Sequence, residues 1–218
     1  MAKITHEFGF HVEGCIDKKE RIYARMTRHG NILFNYKNTR SDTPELEKMR
    51  ARGRAIYAYL RPFRPVFQHG FDRFDAAGLS WWAKAIKRNG GKSVVQYTPS
   101  ATGGTCNVNT DAMTFSEAHG GLHSPEGLRI ARGTSGKIKA DWEEYDGTDK
   151  AERDNDKVAF IIFSEGQHDE VSISLGTAKR GDKSIEIDAP GGGTATKYDV
   201  YFFLYSEKAA SEQTVVKL

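Results

Sequence analysis

Hydrophobic positions recur at different spacings along the chain, and each spacing predicts a different kind of element. Near the N-terminus, residues 21–27 and 31–37 alternate between apolar and polar side chains on either side of the sequence RHG. Alternation with a period of two places one face of a strand inward. A short connection that contains glycine is typical of a hairpin. We therefore predict a β-hairpin in this region.

Between residues 44 and 60 the apolar spacing changes to three and four, which predicts a helix. Its apolar stripe consists of Leu46, Met49, Gly53, Ile56 and Leu60. Thr43 is a good N-cap residue, and Pro44 suits the first helical position. Pro62 and Pro65 are expected to end this helix.

A second helix is predicted over residues 71–88, where apolar residues again form one stripe that the sequence RNGG ends. Each stripe contains a glycine, Gly53 or Gly78, although glycine weakens a helix by about 1 kcal/mol relative to alanine. We therefore expect the two helix backbones to approach each other at these glycines. Trp81 and Trp82 would pack over the crossing.

From residue 93 the period returns to two. The short strand SVVQY is followed by a turn-rich connection over residues 99–110. Seven strand-like runs then follow at the spacing of a small β-sandwich. These runs cover residues 127–132, 136–145, 157–164, 171–180, 184–190, 197–206 and 213–218. The charged segment 146–156 is expected to be a solvated loop, and the glycine-rich segment 190–196 a hairpin loop.

Together these patterns predict a mainly β protein with a small α region. We expect a β-hairpin and basic helix-pair region at residues 1–92 and a linking strand and loop region at 93–126. An immunoglobulin-like β-sandwich would occupy residues 127–218. A chain of 218 residues is long enough for one large domain or two small ones, each with its own core.

The sandwich region resembles the core of fibronectin type III and related immunoglobulin-like domains. The resemblance rests on Trp142 in the second strand-like run and on the pattern Tyr198-x-Val200-x-Phe202 in the sixth. It implies that Trp142 packs between two sheets and that Tyr198 pins a corner of the sandwich. It implies nothing about chemistry, because one fold supports many functions.

The whole chain also resembles an uncharacterised protein family that is common in Bacteroidota. The stretches that carry this resemblance are TPELEKMRARGRAIYAYLRPF, MTFSEAHGGLHSP, DWEEYDGTDKAERDNDKVAFIIFS and a tail that begins GTAKRGDKSIEIDAPGGG. That family combines an N-terminal hairpin, a basic helix and a C-terminal immunoglobulin-like domain. Its function is unknown, so the resemblance implies the architecture and transfers no catalytic residue.

Charge is distributed unevenly, although the net charge of the chain is only +3. Residues 1–92 hold 19 Lys and Arg against 9 Asp and Glu, a net charge of +10, whereas residues 93–218 hold 13 against 20, a net charge of −7. Such an asymmetry attracts a polyanion to the first half. It equally favours stacking of copies, basic end on acidic end.

Basic residues concentrate on the predicted helix and the turn after it. The candidate residues for a protein interface or a polyanion-binding site are Lys48, Arg50, Arg52, Arg54, Arg61, Arg64, Trp81 and Trp82. Lys and Arg would neutralise phosphates, and Tyr57 and Tyr59 would stack on bases. The alternative is a structural helix whose outer basic face is simply solvated.

The sequence predicts no catalytic residues, no metal site and no cofactor. His119 and His123 stand four residues apart, but two glycines separate them, so surface-loop histidines are expected. The sequence APGGGTATK lacks the spacing and the following helix of a phosphate loop. The carboxylates of 146–156 lack the spacing of a calcium loop. For Cys15 and Cys106 we expect two free thiols, with a disulfide as the alternative.

We therefore predict a non-enzymatic structural or adhesive subunit of a larger assembly, such as a filament, a virion or a surface structure. It would associate with copies of itself or with other protein subunits through its oppositely charged ends. The first alternative is a nucleic-acid-binding accessory protein that uses the basic helix 44–64. The second is a carbohydrate- or protein-binding module. The sequence predicts no membrane span, and its N-terminal pattern is not the one expected of a secretory signal, so we expect a cytoplasmic or virion location.

Overall fold

The computed structural model describes the chain in eleven stretches. They are residues 2–4, 14–17, 22–27, 30–35, 44–73, 78–91, 94–98, 105–164, 167–193, 195 and 197–218. The chain forms two compact units, residues 1–46 and residues 47–218. The second unit runs across both boundaries expected at residues 92 and 126, and that division of the sequence stays a prediction.

The first unit contains a four-stranded antiparallel sheet. Its strands are β1 (Ala2–Ile4), β2 (Gly14–Asp17), β3 (Ile22–Thr27) and β4 (Gly30–Asn35), in the order β1-β4-β3-β2. Strands β3 and β4 pair with Thr27 opposite Gly30, which confirms the predicted hairpin. The sequence pattern did not predict the two outer strands. Thr43, the expected N-cap of the next helix, and the side chain of Cys15 lie outside the described residues.

Three helices open the second part of the chain. They are α1 (Pro44–Leu60), α2 (Arg64–Gly70) and α3 (Trp81–Asn89), and a 3₁₀ turn over Arg61–Phe63 joins the first two. The first predicted helix is confirmed. The helix predicted over 71–88 is wrong in its first part, because the backbone of Phe71 is extended and ends α2. Pro65 lies in the first turn of α2, where a missing N–H costs no helical hydrogen bond.

The predicted crossing at Gly53 and Gly78 is wrong. Apart from adjoining residues and the backbone of the same helix, no atom of the described residues lies within 4 Å of the position that a Cβ on either glycine would take. Gly78 lies outside the helices and has a φ of +76°, a conformation that glycine adopts without strain. Contact between α1 and α3 is made instead by aromatic rings, with the Tyr57 ring edge-on to the Trp82 ring at a centroid distance of 5.5 Å.

All seven strand-like runs predicted after residue 126 form strands. They are β7 (Arg129–Arg132), β8 (Lys137–Asp141), β9 (Lys157–Ser164), β10 (Gln167–Lys179), β11 (Ser184–Asp188), β12 (Tyr198–Tyr205) and β13 (Thr214–Lys217). Before them, β5 (Val95–Thr98) confirms the short strand, and its partner β6 (Thr105–Val108) replaces part of the predicted turn-rich connection. A one-turn helix, α4 (Lys150–Arg153), lies in the charged loop.

The seven strands form two antiparallel sheets, with strand orders β11-β8-β7 and β10-β9-β12-β13. This arrangement of three and four strands is the predicted immunoglobulin-like β-sandwich. The loop 190–196 joins β11 to β12, which belong to different sheets. The prediction of a hairpin loop there is therefore wrong.

The sandwich core lies between the two sheets, where the even-numbered residues of β9 and β12 meet β8 and β11. Trp142 is buried and packs against Phe202 at a centroid distance of 5.4 Å, as the resemblance implied. Tyr198 is buried as well, but among the described residues its hydroxyl has no hydrogen-bond partner. The expected corner, in which this hydroxyl would bond back to the backbone, is not seen among the described residues.

The opposite face of the four-stranded sheet is covered by a second core. It consists of the odd-numbered residues of β9 and β12 packed against α1, α2 and the segment around Phe115. Phe115 is fully buried, and its ring stacks on Phe67 at 5.4 Å and meets Tyr201 edge-on at 4.9 Å. The second unit thus has three layers: a three-stranded sheet, a four-stranded sheet and a layer of helices.

Replacing Phe115 with Ala removes the ring at the centre of the helical layer. We expect the variant to lose about 3–5 kcal/mol of unfolding free energy, because the cavity cannot collapse among rigid aromatic neighbours. Urea denaturation measures this loss. Val215→Ala, at an exposed position of the edge strand β13, is the control and should change stability by less than about 0.5 kcal/mol. Equal effects of the two substitutions would contradict the second core.

Candidate functional site

The outer side of α1 and the turn after it present arginines to solvent. Ile56, Leu60 and Phe63 are buried on the inner side. Arg54 and Arg61 lie seven residues apart, two helical turns, so they share the opposite side and are exposed. The anchoring of the apolar stripe in the core therefore determines which basic residues reach solvent.

Two tryptophans extend this exposed side. The guanidinium carbon of Arg64 lies 5.6 Å from the Trp81 ring centroid and 5.4 Å from the Trp82 ring centroid. Such cation–π contacts hold an arginine in place while it keeps its charge. Tyr57 lies on the same side as Arg54 and Arg61 and contacts Trp82. We call the set Arg54, Tyr57, Arg61, Arg64, Trp81 and Trp82 the basic aromatic surface.

Of the other residues predicted for this site, Arg52 and Arg50 are engaged with neighbours, and Lys48 is not described. Arg52 donates a hydrogen bond from Nη2 to the carbonyl oxygen of Gly90 at 2.9 Å, where α3 ends, so it caps a helix C-terminus. Arg50 is half-buried and is also engaged with a neighbour. The side chain of Lys48 lies outside the described residues. Tyr59 packs against the core and donates its hydroxyl to the sulfur of Met113 at 3.8 Å, and its stacking on bases stays a prediction.

The sequence of the helical layer is basic, and that of the sandwich is acidic. Residues 44–91 hold 10 Lys and Arg against 4 Asp and Glu, a net charge of +6. In the sandwich, Glu126 and Glu143 are exposed and adjacent, because the Glu143 N–H donates to the Glu126 carbonyl at 2.9 Å. Asp146 and Glu152, in the loop that follows, are exposed too. We call these four carboxylates the acidic loop surface.

A buried ion pair organises the loop behind this surface. Arg180 and Asp156 are only 4% and 3% exposed. Arg180 Nη1 lies 4.0 Å from Asp156 Oδ2. Trp142 donates its indole N–H to the Arg180 carbonyl at 2.7 Å, and the Arg180 guanidinium lies 4.2 Å from the Tyr145 ring centroid. Burial raises the pKa of Asp156, and Arg153 and Arg180 oppose that rise. These contacts fix the loop on the sandwich core.

A second buried carboxylate lies on β12. Asp199 is 3% exposed and accepts a hydrogen bond from the Thr110 hydroxyl at 2.8 Å. Asp111 is within hydrogen-bonding reach of Asp199 and forms an ion pair with Lys217. Tyr201 donates its hydroxyl to the Thr110 carbonyl. Burial raises the pKa of Asp199, and the hydrogen bond from Lys217 lowers the pKa of Asp111.

This carboxylate cluster ties the connection after β6 to the edge of the sheet. The sequence does not reveal it, since Thr110 and Asp199 are 89 residues apart. The only signal is a single Asp inside the apolar run of β12. Its buried hydrogen bonds join residues that are distant in sequence, which is what a structural role requires.

The other chemical candidates of the sequence are distributed over the surface. His119 forms a β-bridge with Ala210, and its Nδ1 contacts the Glu117 carbonyl. Within the described residues no three His, Cys, Asp or Glu side chains come together as metal ligands. No helix in that part of the chain combines the length and the apolar character needed to cross a membrane. The side chain of Cys106 is not described, so the state of the two thiols stays a prediction.

Solved structures of human fibronectin type III domains are similar to part of the chain. The fibronectin type III domain of the human collagen alpha-1(XX) chain has 16% sequence identity and a TM-score of 0.35. The match covers 47% of this chain and 89% of that domain. The fibronectin type III domain of human contactin 1 has 10% sequence identity and a TM-score of 0.34. That match covers 56% of this chain and 91% of the domain. The immunoglobulin-like assignment rests on the strand order and core described above.

No protein-family model matches the chain, and no curated protein does. The resemblance to the Bacteroidota family therefore stays a prediction.

Replacing Asp199 with Asn removes a buried charge and keeps an acceptor for Thr110. Because the pKa of Asp199 is raised in the folded protein, its protonation stabilises the fold fully below pH 3.8, the ordinary value. That contribution is lost as pH rises through the folded-state pKa. We therefore expect the stability of Asp199→Asn relative to the wild type to increase from pH 3.8 towards neutrality.

Urea denaturation at a series of pH values measures this difference. The exposed Asp188 on β11 offers a matched control, since Asp188→Asn makes the same change in charge at the surface. If the difference in unfolding free energy between Asp199→Asn and the wild type stays constant with pH, the pKa of Asp199 is not raised in the folded protein.

Proposed function

We propose that the chain is a non-enzymatic structural or adhesive subunit that associates through two oppositely charged surfaces. The observation that carries the proposal is the exposure of Arg54, Arg61 and Arg64 around partly exposed tryptophans. Arginine and aromatic residues are the types most enriched at protein interfaces. The acidic loop surface of a second copy, which includes Glu126 and Glu143, supplies the complementary charge.

Two different surfaces on one chain lead to a head-to-tail contact. Such heterologous contacts build rings or open filaments, depending on the rotation between neighbours. Opposite charges increase the rate of encounter and fix the orientation, and salt weakens both effects. A filament, a virion part and a surface structure all fit this kind of assembly.

Neutralising the basic aromatic surface should abolish the association. We expect the wild-type chain to form species larger than a monomer at low salt and to dissociate at high salt, as measured by light scattering. The triple variant Arg54→Ala, Arg61→Ala, Arg64→Ala should remain monomeric at both salt concentrations. Exposed arginines contribute little to folding, so this variant should stay folded.

A second triple variant separates the surface from the net charge. Arg129, Lys139 and Lys208 are exposed on the sandwich side, and replacing all three with Ala removes the same charge. This control should associate like the wild type. A wild-type chain that stays monomeric at high concentration and low salt would overturn the proposal, and so would equal dissociation of both triple variants.

Charge reversal tests whether the two surfaces meet each other. A variant with Glu at positions 54, 61 and 64 and a variant with Arg in place of Glu126 and Glu143 should each be monomeric alone. Mixed together, they should associate, because the reversed surfaces are again complementary. Failure of the mixture to associate, when the wild type does, would show that another surface is the partner.

Nucleic-acid binding is the alternative, and the position of Tyr57 favours it. This ring is 44% exposed and lies between Arg54 and Arg61 on one side of the helix. Alternating cations and exposed rings are the elements of single-strand binding surfaces, in which bases stack and phosphates are neutralised. The three arginines of the basic aromatic surface would then contact phosphates.

Fluorescence anisotropy of a labelled single-stranded oligonucleotide tests this alternative. If it holds, the triple Arg→Ala variant should bind more weakly. The slope of log K against log salt concentration should become less negative by about 2, because three phosphate contacts are lost. Tyr57→Ser should lower affinity and leave that slope unchanged, because stacking releases no counterions. Unchanged affinity in the triple variant would exclude this use of the surface.

A further inference from the structure

The end of α3 contains a dipeptide that is chemically labile in an unfolded chain. Asn89 and Gly90 form the only Asn-Gly pair in the sequence. Asparagine is a thermolabile residue. The lability is greatest before glycine, because no side chain there shields the backbone nitrogen that attacks the amide carbon. Neither proposed function uses this pair, yet the fold holds it by contacts from several sides.

The side chain of Asn89 is fully buried and uses both amide hydrogens and its oxygen. Its Nδ2 donates to the carbonyl oxygens of Ala85 at 3.0 Å and of Thr114 at 2.8 Å. Its Oδ1 accepts the backbone N–H of Thr114 at 2.8 Å. Two carbonyls require donors and one N–H requires an acceptor, which an amide in this orientation supplies. The side chain therefore clamps α3 to the segment around Phe115.

Gly90 is held by both of its backbone groups. Its N–H donates to the carbonyl oxygen of Ile86 at 2.7 Å, and its own carbonyl accepts the hydrogen bond from Arg52 at 2.9 Å. A Cβ at this position would lie 2.5 Å from the Ile86 oxygen. The dipeptide thus connects α3 to α1 as well as to the segment around Phe115, and all three belong to the helical layer.

We propose that Asn89 is a deamidation site that the closed helical layer protects, and that deamidation there releases α3. In the reaction the Gly90 nitrogen loses its proton and bonds to Cγ of Asn89, and the side-chain nitrogen leaves as ammonia. Water then opens the cyclic imide and gives an aspartate in the normal or the isomerised backbone linkage. In the closed structure the Gly90 N–H and the leaving amide are both hydrogen-bonded, so the reaction proceeds from states in which α3 has opened.

The product of this reaction does not fit the closed structure. A carboxylate at position 89 has no hydrogen to donate to the carbonyls of Ala85 and Thr114, and it brings a negative charge against both oxygens in a buried site. The isomerised linkage also lengthens the backbone by a methylene group before Gly90. Because α3 carries Trp81 and Trp82, the basic aromatic surface depends on the same clamp.

Mass spectrometry of the full chain tests the protection. The chain is incubated at mildly alkaline pH, in buffer and in guanidinium chloride that unfolds it. After digestion, the replacement of the amide NH₂ of Asn89 by OH is followed with time. We expect deamidation in the denaturant and a rate at least about 100-fold lower in buffer, because only the open fraction reacts.

Asn155 is the internal control for this measurement. Its Nδ2 also donates to the carbonyl of an alanine one helical turn earlier, Ala151, at 3.0 Å, but the residue is exposed. An aspartate follows it in place of a glycine. Asn155 should therefore deamidate far more slowly than Asn89 in the denaturant, and no difference of about 100-fold between the two conditions is expected for it.

A matched pair of variants tests the release of α3. Asn89→Asp reproduces one product of the reaction, and Asn155→Asp makes the same change in charge at the surface. The amides of α3 and of Thr114 should exchange hydrogen at least about tenfold faster in Asn89→Asp than in the wild type, because anchoring hydrogen bonds are lost. Asn155→Asp should exchange like the wild type. If Asn89→Asp does not fold, Asn89→Ala removes the same hydrogen bonds without adding a charge and should show the same acceleration.

Three results would overturn the proposal. Asn89 could deamidate as fast in buffer as in guanidinium chloride, or it could stay intact in both. The folded variant at position 89 could also show the same exchange in α3 as the wild type. None of these readouts measures association, so they are independent of the proposed function.

Discussion

The two central strands of the four-stranded sheet, β9 and β12, are buried on both of their faces. Every residue of β12 is buried, and so is every residue of β9 after the first. Even-numbered side chains such as Phe160 and Phe202 belong to the sandwich core, whereas odd-numbered ones such as Phe163 and Phe203 belong to the core under the helices. An antiparallel sheet commonly leaves one face to solvent. Here that face is apolar and requires a covering layer.

This constraint explains how the helices are arranged. The inner side of α1 and the turn after it are used to cover the sheet, through Leu60 and Phe63. The arginines of the same segment are thereby held on the outer side, and Arg64 is fixed over the tryptophans. The basic aromatic surface is therefore a consequence of the second core.

Much of the fold follows from local patterns in the sequence. Period-two alternation identified all seven sandwich strands, and Trp142 marked the core between the sheets. The continuous apolar runs of β9 and β12 also contain the signal for a second layer, since a strand that is apolar on both faces must be covered on both. The layer that packs over these strands is fixed by contacts between residues distant in sequence, such as Phe115 with Tyr201. No local sequence pattern predicts such contacts.

Glycine gave the least reliable predictions. Gly53 and Gly78 were assigned to a helix crossing, yet Gly53 faces open space and Gly78 lies outside the helices. The close backbone approach occurs instead at Gly136 and Gly193, in loops 57 residues apart. Helical spacing predicts that Arg50, Arg54 and Arg61 share one side of the helix, and Arg54 and Arg61 are exposed. The roles of Arg52 and Tyr59 depend on tertiary contacts with Gly90 and Met113.

Native-state hydrogen exchange tests most directly whether the helices and the sandwich depend on one doubly buried sheet. The amides of α1 and α2 should open with the same free energy as the amides of β9 and β12, because the second core cannot be lost without exposing the sheet. Exchange from the two helices at a free energy several kcal/mol lower than from the strands would contradict this account. The helical layer would then be a separable cover, and the sandwich would be stable without it.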